Sequence, residues 1–125
     1  MQLLLDTHVL LWSLSGDHRL GKSAVDTIAD GRNVVYVSAV TVLEVVTKQA
    51  LGKLRAPADL VAAINEVGYR HLPLSLEHAD AVSELPGHHR DPFDRMLIAR
   101  ARTDRLTLMT HDALMQRYDV QLIAV

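Results

Sequence analysis

Two rhythms of apolar residues alternate along the chain. Short runs of apolar and β-branched residues suit buried strands: Gln2–Leu5, Asn33–Val37, Arg70–Leu74, Arg105–Met109 and Val120–Ala124. Between them, apolar residues recur three and four apart, which predicts helices over Thr7–Leu14, Leu20–Asp30, Ser38–Leu51, Pro57–Val67, Ser75–Leu85 and Asp112–Tyr118. Gly31, Gly52 and Gly68 follow three of these stretches, where a left-handed residue ends a helix easily. Pro73 inside the third strand places that strand at a sheet edge.

The most sharply marked helix begins in His89–Ala101, HRDPFDRMLIARA. Asp91 is a good N-cap, Pro92 fits the first helical position, and Asp94 stands where a capping box has its acid. Asp94, Leu97, Ile98 and Ala101 share one face, so a carboxylate heads the stripe that faces the core. Such an acid must be paired, hydrogen-bonded or joined to a cation, unless it only caps the helix and favours its positive end.

Strands alternating with helices predict an α/β domain with a mostly parallel sheet and right-handed crossovers. Ligands bind such sheets beyond the carboxyl ends of the strands. Asp6 directly follows the first strand, and Asp112 lies just past the fourth, both at that edge. The helix from Asp91 runs straight into the fourth strand and must lie antiparallel to it, which returns Asp94 to the same edge. Glu44, on the helix leaving the second strand, can reach back towards the edge. Its spacing to Thr41 and Lys48 also fits a solvated face with an i,i+4 ion pair.

Composition narrows the function classes. With 125 residues, 49% hydrophobic, the chain is one domain with a sizeable core and is not disordered. The absence of cysteine excludes thiolate metal sites and disulfides and agrees with a cytoplasmic protein. No apolar run is long enough to span a membrane, and MQLLLDTH lacks the basic flank of a signal peptide. A formal charge of −2 gives no broad basic surface, so nucleic-acid contacts must be local. Converging carboxylates repel unless a cation joins them, and all-oxygen ligands select Mg²⁺ or Mn²⁺ over zinc. A centre of this kind can activate water against a phosphodiester.

The stretches LLLDTHVLLW, Ser38 to Glu44, DPFDRMLIARA and LTLMTHD resemble the PIN domain family, most closely the VapC-type ribonuclease toxins of bacterial toxin–antitoxin pairs. The resemblance covers essentially the whole chain. It implies a PIN-like three-layer α/β/α domain with a five-stranded parallel sheet in the order 3-2-1-4-5. It also implies an acidic pocket of Asp6, Glu44, Asp94 and Asp112 holding Mg²⁺ or Mn²⁺, with Asp91 as a cap rather than a ligand. The implied activity is RNA hydrolysis leaving a 3′-hydroxyl and a 5′-phosphate, and the implied partners are a cognate antitoxin and a second copy of the chain. Trp12 follows the helix pattern, as core or dimer contact.

His8 and His111 each adjoin a site acid and are candidate substrate contacts, as are Arg90 and Arg95, which flank the acidic helix start. The pair His88-His89 lacks ligand spacing to another histidine, which argues against zinc. A phospho-acceptor domain is disfavoured because the last strand, VQLIAV, ends without lysine. An aspartyl phosphatase is disfavoured because His8 stands two residues after Asp6. A PIN nuclease in RNA processing, and a non-catalytic RNA-binding module on the same fold, are the alternatives. A pure binder gains nothing from negative charge facing phosphate.

Overall fold

Leu3, Leu4 and Leu5 are fully buried on both faces, which is what a central strand covered by helices on both sides requires. The computed structural model describes residues 1–89 and 91–125. Its sheet has five parallel strands in the order β3-β2-β1-β4-β5, with β1 at Gln2–Leu5, β2 at Val34–Ser38, β3 at Arg70–Leu72, β4 at Thr107–Thr110 and β5 at Leu122–Ala124. The order matches expectation, with β3 at an edge beside Pro73.

The helices are α1 (Thr7–Ser15), α2 (Lys22–Ala29), α3 (Ala39–Ala50), α4 (Leu60–Glu66), α5 (Leu76–Ala81) and α6 (Pro92–Thr103). Alternate strand residues feed two cores. Leu3, Leu5, Val35, Val37 and Met109 pack with α1, α2, α4 and Val45 of α3. Leu4 and Leu108 face the other way, against Leu97, Ile98 and Ala101 of α6. Trp12 lies within the first core, only 7% exposed. Among the described residues, no helix is long and apolar enough to cross a membrane.

Several boundaries differ from the sequence reading, and three of the differences have a visible local reason. The fourth helix starts at Leu60 rather than Pro57, because the Asp59 carboxylate takes the cap by accepting from Ala62 N at 3.0 Å. Strand β4 starts at Thr107 rather than Arg105, because Arg105 closes α6 in the left-handed region at φ 55° and Leu106 N donates to Ala101 O at 2.8 Å. The helix expected over Ser75–Leu85 changes to a 3-10 turn at Val82–Glu84, where Arg95 draws the carbonyls of Val82 and Leu85 to its guanidinium. The segment after Asp112 is likewise 3-10, over Ala113–Arg117.

Candidate metal centre at the carboxyl edge of the sheet

Parallel pairing of β1 with β4 sets Leu5 beside Met109, and Asp6 N donates to Met109 O at 3.0 Å. Asp6 and Thr110 are therefore neighbours where the two strands end. Asp6 is buried and caps α1 by accepting from Val9 N at 2.9 Å through Oδ1. Its Oδ2 accepts from the Thr110 hydroxyl and from His111 N. Thr110 Oγ1 in turn accepts from Asp112 N at 3.0 Å, so one buried threonine ties two acids to the sheet edge.

The other acids arrive on helix starts. Asp91 caps α6, its Oδ1 accepting from Phe93 N at 2.8 Å and Asp94 N at 3.2 Å. Asp112 caps the last 3-10 turn through Leu114 N at 2.9 Å. Glu44 comes from the body of α3 and is 3% exposed. Thr7 Oγ1 donates to its Oε1 at 2.5 Å and Lys48 Nζ to its Oε2 at 2.5 Å. Its stripe, with Thr41 fully buried, is not the solvated face that spacing allowed. The Lys48 pair exists, but its carboxylate end lies inside the fold while Lys48 reaches it from the half-buried side.

Asp6, Glu44, Asp91, Asp94 and Asp112 line one cavity of about 320 Å³, together with Thr7, His8, Lys48 and His111. Burial, and then the negative charges of Asp91 and Glu44, push the Asp94 carboxyl up to about 7. Burial also raises Asp6, against the opposing hydrogen bond from Thr110. Lys48 is raised, foremost by its hydrogen bond to Glu44. Among the described residues the cavity is thus short of positive charge, and its donors are carboxylate oxygens, a set that fits a hard divalent cation such as Mg²⁺ or Mn²⁺.

His89 was passed over by sequence reasoning, which sought ligand spacing between histidines. Its Nε2 lies 2.8 Å from Asp112 Oδ2 and 2.9 Å from Asp94 Oδ2. The donor atoms of His89, Asp94 and Asp112 all fall within 4.8 Å of one another. Thr7 and Thr110 were missed too. The usable signal was a hydroxyl residue at a buried strand end or directly after one.

Arg95 departs from both sequence readings, as it neither faces the cavity nor pairs with Asp91 or Asp94. Its guanidinium donates to the carbonyls of Pro86 (2.8 Å), Val82 (3.1 Å), His89 (3.2 Å) and Leu85 (3.3 Å), and to Tyr118 Oη (3.3 Å). It braces the loop that delivers His89. Arg90 lies outside the described residues. His8 and His111 are exposed at the cavity's rim, and His111 stands edge-on to Trp12 at 5.1 Å.

A family model described as PIN domain matches residues 3–121. No curated sequence relative matches the chain. Among solved structures, VapBC2 from Rickettsia felis, bound to a DNA fragment from its promoter, superposes with a TM-score of 0.71 at 13% identity, covering 100% of this chain and 99% of that chain. DNA-bound VapBC from Salmonella typhimurium gives 0.66 at 15% identity, over 99% of this chain and 98% of the other. A toxin–antitoxin complex from Klebsiella pneumoniae gives 0.64 at 18% identity, over 98% and 96%. At these identities the likeness is one of fold.

Proposed function

The chain belongs to the PIN domain family, and from that premise we propose that it is a divalent-metal-dependent endoribonuclease, the toxin of a VapBC-type toxin–antitoxin pair. The observation that carries the proposal is the meeting of Asp6, Glu44, Asp94 and Asp112 in one cavity, from four separate segments, with the Asp94 carboxyl pushed up to about 7. A surface cluster of caps would not be driven that way.

In this reading Asp6, Asp94 and Asp112 hold Mg²⁺ or Mn²⁺, and Glu44 completes the oxygen set. When bound there, the cation supplies Lewis-acid activation of water and offsets charge on the scissile phosphodiester. The protein's own part is placement. Thr110 orients Asp6 and Asp112, and Thr7 and Lys48 fix Glu44. His8 and His111 at the rim are positioned to meet the ribose–phosphate chain. His8 also lines an adjoining cleft of about 510 Å³ with Trp12, Asp17, Arg19 and Arg55, a route for a single strand away from the acidic pocket.

A cognate antitoxin as partner follows from the toxin reading and is supported by the toxin–antitoxin complexes among the structural neighbours. The protein would act in the cytoplasm, as one domain. A homodimer is expected as well. Trp12 is too buried to contribute contact area, so exposed Leu43 and Val46 on α3 are the better candidates.

The test is cleavage of RNA by the purified chain with Mg²⁺ or Mn²⁺. Activity should stop with a chelator, and Asp94→Asn should lower it by more than the ~100-fold that loss of a mere supporting contact can cost. Undiminished cleavage in the chelator or the variant would overturn the proposal.

A further inference from the structure

We propose that His89 is a positioning residue of the acidic pocket, a neutral imidazole whose Nε2–H is shared by Asp94 and Asp112 and which does not itself ligate the cation. The inference rests on the reading of the pocket as a metal centre. Distance alone cannot assign the role. Ligands about 2.1 Å from one octahedral ion stand about 3 Å apart when adjacent, and Nε2 lies 2.8 and 2.9 Å from the two carboxylates. A ligand and a hydrogen-bond donor would both fit.

The other ring nitrogen decides. Asp91 N donates to His89 Nδ1 at 3.2 Å. A backbone amide can only donate, so Nδ1 carries the lone pair, and in the neutral ring the proton sits on Nε2, facing the carboxylates. A ligating histidine has the opposite polarity: its lone pair faces the metal, and its second nitrogen donates to a carbonyl or carboxylate. The backbone that carries the ring is pinned as well. His89 N donates to Tyr118 Oη at 2.8 Å, and His89 O accepts from Arg95 at 3.2 Å. The side chain is 12% exposed.

The consequence is a pocket organised before any ion arrives. Asp94 and Asp112 come from different segments and repel each other. One N–H shared between them offsets that repulsion and keeps an oxygen of each at ligand spacing. Because α6 is capped by the same Asp91 whose amide fixes the ring, the α6 start and the histidine are set together.

Long-range proton–nitrogen correlation spectra of the full, metal-free chain, recorded above the ordinary histidine range, read the tautomer directly. The Nε2–H form is expected for His89. The Nδ1–H form would overturn the inference whether or not the protein cleaves RNA, so its failure and that of the nuclease reading are separable. Calorimetric titration with Mg²⁺ supplies a second measurement. His89→Ala should weaken binding by about tenfold or more, while His89→Gln, which keeps a neutral N–H donor, should stay near the wild type. Equal affinity in all three proteins would show that the clamp does nothing. Spin-echo spectra of the Mn²⁺-loaded protein should show no directly bound nitrogen; a bound histidine nitrogen would make His89 a ligand.

Discussion

Two aspartates of the pocket, Asp6 and Asp94, and two at the surface, Asp17 and Asp30, titrate in opposite directions. Asp17 and Asp30 each meet an arginine two residues on, with contacts of 2.6 Å to Arg19 and 2.8 Å to Arg32. The hydrogen bonds from these arginines bring both carboxyls down to about 2. Asp94 is pushed up to about 7 and Asp6 is raised, in each case first by burial. A solvated acid acquires its counter-charge from its own stretch of chain, at little cost. Among the described residues, the pocket acids come from distant segments and share only Lys48 and hydrogen-bond donors, a charge deficit that a cation can relieve.

Adding the cation should produce the largest effect. A ligand that binds only the folded state adds about 2.7 kcal/mol at a hundredfold excess over Kd. The wild type should therefore gain several degrees in Tm with Mg²⁺, and Asp94→Asn far less. Equal shifts in scanning calorimetry would place the ion elsewhere and dissolve the contrast between the two kinds of acid.

The contrast was only half legible in the sequence. Asp6 and Asp59 are both helix caps in the structure, Asp6 accepting from Val9 N at 2.9 Å and Asp59 from Ala62 N at 3.0 Å, although the sequence reading starts the fourth helix at Pro57. The strand order separated them, because it places Asp6 at the carboxyl edge where Asp94 and Asp112 return. Topology, not motif, made those acids readable. Glu44 could not be decided from spacing, because the helix wheel is the same for a buried stripe and a solvated one. His89 was illegible because Asp112, which with Asp94 shares its Nε2, lies across the fold and its loop is held by Arg95, whose carbonyl contacts no local pattern encodes.

Acidity should separate the two groups next. The Asp94 carboxyl moves from 3.8 to about 7 on folding, so its contribution to stability is full below about 4 and is lost as pH rises through 7. Asp17 and Asp30 move from 3.8 to about 2, so theirs is present above about 4 and lost as pH falls towards 2, and it is small because both pairs are solvent-exposed and only two residues apart. Metal-free Asp94→Asn should lose the decline between pH 4 and 7 while keeping the acid limb. At neutral pH it should be as stable as the wild type or more so. A metal-free variant several degrees less stable would make Asp94 a structural cap.

Glu44 and Lys48 test the boundary between the groups. Glu44 is 3% exposed and bound by Thr7 and Lys48, so Lys48→Ala leaves a buried carboxylate short of a donor, at a cost of about 1–3 kcal/mol. Glu44→Gln should cut RNA cleavage severely while costing less stability, because the amide still accepts from Thr7. If denaturant melts and cleavage assays rank the two variants alike, Glu44 is part of an ion pair and nothing more.

The smallest effect is expected at Asp17, and its smallness is informative. Arg19 is two residues away and stays tethered beside Asp17 in the unfolded chain, so part of the pairing survives unfolding and drops out of the difference. What remains is exposed to solvent and screened by salt. Asp17→Asn should leave Tm unchanged within scatter at moderate ionic strength. Arg19→Ala should lower it slightly more, because the guanidinium also lies over the Trp12 ring at 5.1 Å and covers the rim of the core. If Asp17→Asn instead costs as much as Lys48→Ala, a local surface pair would equal a pair whose carboxylate is buried in the pocket. Burial would then not be what sets the two kinds of acid apart.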